Sequence, residues 1–594
     1  MKEKINRKFV KFLKIIIGFF LIGLLVYTRF VGLNWGLPYP MHPDERNMAV
    51  AVGQLKCEIP KINFNLPKSL FENWSSIENW FQFKGVFQLK DCFNPHFYAY
   101  GQFPLYLSYV LILIIKFFDG DLAYPISFQE AVISLRLISV ISSLLTGLIM
   151  FKIINLFLNE KKNHFFIKSL LFLIIIFSPY AIQFSHFGTT ESLLMLFYSL
   201  IVYLTLNFSL KKISVLNYVI GLSIFSGLSL ATKVSSLIFF IVPLLVLITQ
   251  NYRFKRLYSF LTKIFDVFIY LFLSGIIFII FSPHNLINFQ DFLSAINYEK
   301  DVALGKYIVF YTRQFIETVP VLFQVEKIFP YALGMMVFFL FILGFFFLNW
   351  KDKKNNLLRT FFLIYFLPNA FVFAKWTRFM AIVFPIMTIL AILWLIRIKI
   401  ITIVKIIIVV LSVLPGINYL KVYYQPDIRF QASDWIFKNI PENSYVLSET
   451  ANVVDIPIIN QKSRIKNQND IYKNYQIVSF NFYDLDENVF LQEELKNHLE
   501  KADYIFVPSR RIFINHYCDE KLKIKNSKLK IFFPDKCQEL KKRYPLLNQY
   551  YNDLFSGRLG FKKVAEFDVG LGDEMAEETW TVFDHPVIRI YKKT

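Results

Sequence analysis

Charge is scarce in this sequence. Only 18% of the residues are Asp, Glu, Lys or Arg, against about a quarter in an ordinary soluble domain. With 55% hydrophobic residues and a mean hydropathy of +0.44, that deficit excludes a soluble enzyme. It excludes intrinsic disorder as well, which needs low hydrophobicity and high charge. Cysteine is almost missing: there are four, none inside an apolar block. No His-Glu-x-x-His or paired-histidine spacing occurs, which argues against a zinc site. No Gly-rich phosphate loop and no Gly-x-Ser-x-Gly elbow occur, so nucleotide and serine hydrolysis have no support. Internal repeats and low-complexity linkers are also lacking.

What is present is apolar and long. Of the 594 residues, 68 are Phe, and the apolar residues fall in blocks of about 17–25, the length of a bilayer-spanning helix. The chain reads as a polytopic α-helical membrane protein. Its net charge of +21 (65 basic against 44 acidic residues) would suit nucleic acid, but the placement of the charges argues otherwise. Basic clusters at Lys2–Lys14, Lys161-Lys162, Lys211-Lys212, Arg253–Lys263, Lys351–Arg359 and Arg397–Lys405 separate apolar blocks, as cytoplasmic loops do. The intervening turns at Ser178–Thr190, Ala231–Ser235 and Ala374–Arg378 are poor in charge and belong outside. Spans then fall near 12–33, 132–157, 165–183, 191–208, 213–230, 234–250, 265–283, 330–349, 357–374, 378–396 and 400–417. That makes about eleven, in an integral plasma-membrane protein with a cytoplasmic N-terminus. The basic start and the apolar run to Val31 resemble a signal peptide, but no small-residue cleavage site follows, so the first span is retained. Pro104–Phe118 is apolar but short. It reads as half-inserted or interfacial, since a true span there (giving twelve or thirteen) would turn the later basic loops outward.

Two domains follow: a membrane domain over 1–417, and an extracytoplasmic α/β domain over 418–594. The membrane domain carries outer segments at 34–102 and 282–326. In the second domain, strand-like runs at 445–449, 477–481, 503–507, 563–568, 580–583 and 587–591 alternate with helical stretches at 430–439, 489–500 and 537–555. Asp584-His585-Pro586 reads as a turn between two strands, because Pro586 lacks a strand N–H. Cys57 and Cys92 share the first outer segment, and Cys518 and Cys537 share the outer C-terminal domain. An even number in exported parts predicts two disulfides in these pairings, the alternative being four thiols.

Candidate chemistry lies on the outer face. His42-Pro43-Asp44-Glu45-Arg46 follows the first span, and two adjacent carboxylates at a bilayer surface need partners or a task. Pro43 opens a helix and places Asp44 and Glu45 in its first turn, where the helix dipole favours them; an acidic cap explains the pair equally well. Asn94-Pro95-His96 to Tyr106 is aromatic, suited to an interfacial belt or a platform for a sugar ring. Ser185-His186 to Glu191 lies at an outer turn, with Glu191 as a helix cap or a second acid of the site. Arg136, Lys233, Arg313 and Arg378 are cations at outer span ends. They either snorkel or bind the phosphate of a lipid-linked donor.

In this order the motifs resemble those of C-type glycosyltransferases. The wording is similar to glycosyltransferase family 39, the polyprenyl-phosphate-mannose–protein mannosyltransferases and bacterial aminoarabinose transferases. His42-Pro43-Asp44-Glu45 matches the family's catalytic loop. Asn94 to Tyr106 resembles its Pro-containing aromatic stretch, Ser185 to Glu191 its second-acid turn, Gly227 to Lys233 its Gly-to-Lys turn, and Arg378 to Pro385 its Arg-to-Pro span. Two departures matter. Asn94 stands where aminoarabinose transferases tend to have Lys, and 282–326 is too short for the lectin-like insert of fungal and animal mannosyltransferases. The acceptor is therefore left open between protein and glycan or lipid.

The resemblance implies inverting transfer of a sugar from a polyprenyl-phosphate carrier to a hydroxyl acceptor at the outer membrane face. Asp44 would be the general base, oriented by Glu45 or His42. Arg46, Lys233 and Arg378 would bind the donor phosphate. His42, His96 and Glu191 would border sugar or acceptor. Such a scheme requires no cofactor, although a divalent metal is compatible with it. Its partners are the lipid-linked donor, the acceptor and the bilayer, with no nucleic acid. A transporter or lipid-carrier flippase is the alternative; it leaves the acidic pair and the exported domain unexplained.

Overall fold

The computed structural model describes residues 2–56, 93–120, 125–158, 165–249, 256–449, 455–458, 475–517 and 536–594. Apolar blocks become helices because lipid offers backbone N–H and C=O groups no partners, so a spanning segment must satisfy them internally. The helices are α1 (Lys2–Phe30), α2 (Pro43–Gln54), α3 (Phe103–Asp119), α4 (Phe128–Asn155), α5 (Phe165–Ile176), α6 (Pro179–His186), α7 (Glu191–Ser209), α8 (Val215–Thr232), α9 (Ile241–Thr249), α10 (Arg256–Phe281), α11 (Phe289–Ala303), α12 (Met335–Phe347), α13 (Lys353–Phe371), α14 (Phe384–Arg397) and α15 (Thr402–Tyr419).

Among the described residues, seven helices are long and apolar enough to cross a membrane, or eight with α5 and α6 as one bent span. The bend is 47° and sits at Ser178-Pro179, where proline disfavours a helical conformation in the residue before it. The remaining expected spans are helical but shorter or interrupted. Val234–Phe240 is a 3-10 turn running into α9, α12 has 13 residues, and α13 carries Pro368 inside it. The doubtful Pro104–Phe118 stretch is a 17-residue helix, α3, about 25 Å long. It falls short of the ~30 Å hydrocarbon core.

The chain divides into two compact units. One comprises Met1–Pro43, Ser143–His186 and Lys300–Thr594, and the other Asp44–Ser142 and Phe187–Glu299. Helix packing in the first unit depends on close approach. A Cβ on Gly416 in α15 would lie 1.6 Å from the Phe177 carbonyl oxygen, so only glycine fits.

The C-terminal region of the first unit holds α16 (Ile428–Asn439), α17 (Val489–Lys501), α18 (Lys536–Arg543), α19 (Pro545–Ser556) and five strands. These are β1 (Tyr445–Glu449), β2 (Gln476–Phe480), β3 (Tyr504–Val507), β4 (Phe561–Phe567) and β5 (Ile588–Lys593). The sheet order is β2-β1-β3-β5-β4, with β1 parallel to β2 and β3, and β5 antiparallel to β3 and β4. Strand residues alternate between two cores. Leu447, Ile505 and Val507 join Leu547 and Tyr551 of α19 on one face, while Val446, Phe506 and Ile590 join Ala432 and Ile436 of α16 on the other.

Two expectations need correcting. Residues 580–583 are not a strand. Glu578–Thr581 is a helical turn, because the buried Glu577 carboxylate accepts from the Thr579 N–H and caps it. Asp584-His585-Pro586 therefore follows a helical turn instead of linking two strands. The stretch 537–555 is broken at Tyr544, where Pro545 starts a new helix.

Candidate active site

In the unit that begins at Asp44, Pro43 fixes the first turn of α2 and sets Asp44 and Glu45 side by side. The fold treats them differently. Glu45 is 2% exposed and Asp44 half-buried. Glu45 Oε2 accepts from Arg136 Nε at 2.9 Å and from the Gly188 N–H at 2.6 Å, and its Oε1 accepts from Arg136 Nη2 at 2.7 Å. Arg136, on α4, is fully buried. A planar guanidinium and a carboxylate thus meet in a two-pronged, charge-assisted pair. Gly188 completes it because it has no side chain: a Cβ there would lie 2.7 Å from Leu135 Cβ and 3.1 Å from Glu45 Oε2.

The same unit joins the other motifs. Glu191 opens α7, three residues beyond Gly188, and its Oε1 lies 3.9 Å from Lys233 Nζ. Lys233 ends α8 in an extended conformation, and its ammonium stands 4.9 Å from the centre of the Tyr100 ring. The Asn94–Tyr106 stretch is fastened to this turn, since the Gly101 N–H donates to the Thr232 carbonyl at 2.9 Å. Ser282 Oγ ties both down, accepting from the Gln102 N–H and donating to the Ala231 carbonyl. Buried Asn94 turns the chain by accepting from the His96 N–H and the Tyr98 hydroxyl. His96 is left exposed at φ +49°. Arg46 is half-buried, its Nε 3.5 Å from Asn47 Oδ1. Asp44, Glu45, Arg46, His96, Glu191 and Lys233 therefore share one unit. Arg136 was recognised in the sequence only as one of several outer cations; its carboxylate partner lies 91 residues away.

No protein-family model matches the sequence, and no curated protein matches it. Among solved structures the chain is similar to ArnT from Cupriavidus metallidurans in the apo state, with 10% identity and a TM-score of 0.40 over 73% of this chain and 72% of that one. It is similar to the same protein bound to undecaprenyl phosphate, with 12% identity and a TM-score of 0.39 over 71% and 65% of the two chains. It is also similar to the Archaeoglobus fulgidus oligosaccharyltransferase in the apo form, with 10% identity and a TM-score of 0.44 over 99% and 89%. Likenesses of this depth do not identify an activity.

His42 and Arg378 belong to the first unit. The His42 ring is buried, its centre 4.2 Å from that of Phe583. The Arg378 guanidinium lies 4.7 Å from the Trp376 ring centre. Nearby Lys375 is buried, which pushes its ammonium down to about 8. The loop carrying them is gripped by the C-terminal region, where Glu577 Oε2 accepts from the Thr377 N–H at 3.0 Å and its hydroxyl at 2.8 Å.

A second polar centre in this unit was missed as such in the sequence. His585 lies between Asp584 Oδ1 at 2.7 Å and Asp573 Oδ2 at 3.1 Å. Asp584 Oδ2 accepts from Tyr419 and Tyr423 at 2.9 and 2.7 Å, and Gln183 Nε2 reaches the Trp580 carbonyl at 2.8 Å. Burial opposes charge on His585, but the two aspartates prevail and hold it up at about 10. Burial opposes charge on Asp584 too, and His585 nevertheless holds its carboxyl below the usual range. The signal available was Tyr419, which ends α15, and Tyr423 four residues on in the helical turn Lys421–Tyr424, both reaching one partner.

Cys537 is disulfide-bonded, and its partner lies outside the described residues. Cys57, Cys92 and Cys518 also lie outside them. Among the described residues no group of three His, Cys, Asp or Glu side chains is arranged to hold a metal ion.

Proposed function

We propose that the chain is a membrane glycosyltransferase of C-type architecture. It moves a sugar from a polyprenyl-phosphate carrier to a hydroxyl acceptor at the extracytoplasmic face, with inversion. One observation carries the reading: of two adjacent acids, Glu45 is committed to Arg136 and Gly188, while Asp44 is half-buried in the same first turn. Glu45 then fixes the helix that presents Asp44.

In this reading Asp44 takes the proton of the acceptor hydroxyl as its oxygen bonds to the sugar's anomeric carbon. The anomeric C–O(phosphate) bond breaks, and the electron pair leaves with the polyprenyl phosphate. The phosphate is already a competent leaving group, so one carboxylate suffices, unlike the acid–base pair of a glycosidase. Lys233, with Arg46, is assigned to the leaving phosphate. Glu191 holds Lys233 in place, and Tyr100 with His96 borders the sugar. The N-terminus is cytoplasmic and residues 418–594 extracytoplasmic.

Membranes bearing the chain, incubated with labelled polyprenyl-phosphate sugars, should transfer label to a membrane or protein acceptor. Asp44→Asn should insert normally and lose transfer by about 10²–10⁴-fold, the usual contribution of a general base. Near-normal turnover in that variant would remove Asp44 from the chemistry.

A further inference from the structure

In the unit that begins at Asp44, contacts between helix ends define one side of the membrane. The starts of α4 and α7 meet through Glu45, which joins Arg136 to the Gly188 N–H. The start of α7 meets the end of α8 where Glu191 faces Lys233. Ser282, just past α10, donates to the Ala231 carbonyl near the end of α8. Four helix ends therefore gather on one side.

Helix α3 leaves from these ends and returns to them. Gly101 and Gln102, just before its first residue, are held by the Thr232 carbonyl and Ser282 Oγ. In its last turn the buried Lys116 pairs at 3.0 Å with Glu130, in the first turn of α4. A spanning helix carries its two ends apart by the hydrocarbon thickness, about 30 Å. Both ends of α3 lie on the same side, so α3 does not span. One of its faces packs inward through Leu105, Ser108 and Ile112, with Ser108 Oγ bonded to Ser134. The opposite face carries Leu107, Val110, Ile114 and Phe118, three or four residues apart and all exposed, Phe118 by 81%.

Helix α11 starts from the same polar knot. The His284 N–H donates to Gln102 Oε1, and Gln102 Nε2 donates to Asn285 Oδ1. The first turns of α11 then gather Phe289, Phe292, Leu293 and Ile296 on one arc, and Gln290, Asp291, Ser294 and Asn297 away from it. Phe289 and Leu293 are exposed, and Phe292 and Ile296 half-buried. Leu286 and Ile287, in the helical turn just before, are exposed as well. This apolar surface continues that of α10, whose span Phe260–Phe281 is only 11% buried and so faces lipid along its length.

We propose that α3 and the first turns of α11 lie in the interfacial layer of the bilayer, with their apolar arcs toward the acyl chains. The partner is a phospholipid leaflet, recognised by apolar area and not by charge, since the only cation of α3, Lys116, is paired inward. The two helices diverge from Gln102, one residue from Gly101, whose N–H is fixed to Thr232. They thereby hold Lys233 at the depth of the lipid phosphates. On the transferase reading, on which this last step rests, the donor phosphate meets Lys233 without leaving its leaflet.

The test uses the full-length protein in phosphatidylcholine nanodiscs. Spin labels are attached to Leu107→Cys and Val110→Cys in α3, and to Phe289→Cys, Leu293→Cys and Ser294→Cys in α11. The wild-type chain, treated alike, supplies the background from its own cysteines. Two positions on each stripe keep the test open if one variant fails to fold. Relative accessibility to oxygen, which partitions into lipid, and to a water-soluble nickel chelate gives the depth of each label. The four stripe labels should favour oxygen at least threefold more than the Ser294 label, at a depth of about 5–10 Å into the headgroup–acyl boundary. Adding anionic lipid should leave these depths unchanged. Equal water access at Leu293 and Ser294, protection of a stripe from both reagents, a label at Val110 near the bilayer centre, or insertion only with anionic lipid would each overturn the proposal. No turnover is read, so labels found in water would leave the Asp44 chemistry standing, and failure of sugar transfer would leave the interfacial helices standing.

Discussion

Two carboxylate centres in this molecule are built from different partners. In one unit Glu45 is held by an arginine and a backbone N–H. In the other, Asp573 and Asp584 are held by a histidine, with tyrosine hydroxyls completing the shell. Both remove carboxylates from water, which is costly unless the charge is matched and its lone pairs are satisfied. A guanidinium does not change its charge over the physiological range, whereas an imidazole does. The first centre should therefore be intolerant of losing either partner. The second should carry a pH dependence. In the proposed mechanism that rigidity would serve Asp44, half-buried beside the first centre.

The largest expected effect separates Asp44 from its neighbour. Asp44→Asn should remove turnover while the protein still inserts and folds, read as an unchanged yield of detergent-purified protein. Arg136→Ala should do the reverse at the level of folding. It strands a buried carboxylate, at a cost of about 3–5 kcal/mol, read as a lower melting temperature of the detergent-purified protein and reduced yield. If Arg136→Ala melted like the wild type, the Glu45 pair would not be the anchor of α2.

These roles were unevenly legible in the sequence. Helix positions could be read because apolar blocks and basic clusters are local signals, and Pro43 marked the start of α2 in the same way. Strands β1, β3 and β5 could be read from their runs of alternating or continuous apolar residues. Partners could not be read. Arg136 meets Glu45 across 91 residues, and Thr377 meets Glu577 across 200, and no spacing encodes a contact of that range. The same contact explains the strand wrongly expected at 580–583. A β-prone Thr-Trp-Thr-Val run was overruled by Glu577, which caps a helical turn while reaching Thr377. Asp584-His585 looked like turn chemistry because its tyrosine partners lie more than 160 residues earlier.

The next effect in size is the pH dependence of the histidine centre. The folded-state pKa of His585, about 10, lies above its unfolded value of about 6.5. Its contribution to stability is therefore complete below pH 6.5 and is lost as pH rises through 10. Asp573 and Asp584 are depressed despite burial, because His585 faces both. Their contribution is present above their unfolded value near 3.9 and is lost as pH falls through the lower folded values. Thermal melts should thus plateau between about pH 4 and 6.5 and decline toward pH 10. His585→Gln should lower the melting temperature at neutral pH and abolish the alkaline decline. A wild-type decline that survived unchanged in His585→Gln would place its origin elsewhere.

The smallest effect tests how far the hydroxyl shell supports the charge. Tyr419 and Tyr423 both donate to Asp584 Oδ2, at 2.9 and 2.7 Å. Tyr423 has a second task, since its ring is stacked 3.6 Å from that of His186 at 8°. Tyr419→Phe is therefore the cleaner change: it deletes one hydroxyl and keeps the ring packed against Trp580 and His585. A hydrogen bond to a charged group contributes about 1.5–3 kcal/mol. Asp584 would keep Tyr423 and His585 as donors, so the loss should fall at the lower end, about 1.5 kcal/mol. With one donor gone the aspartate charge is less well supported, so its pKa should rise and the acid limb of the stability profile should begin at a higher pH. The alkaline limb should stay in place, because His585 keeps both aspartates. Melting temperature against pH for the single variant decides it. A shifted acid limb would assign the tyrosines to the charge. A uniform drop at every pH would reduce Tyr419 to packing and leave the charge of Asp584 to His585 and Tyr423.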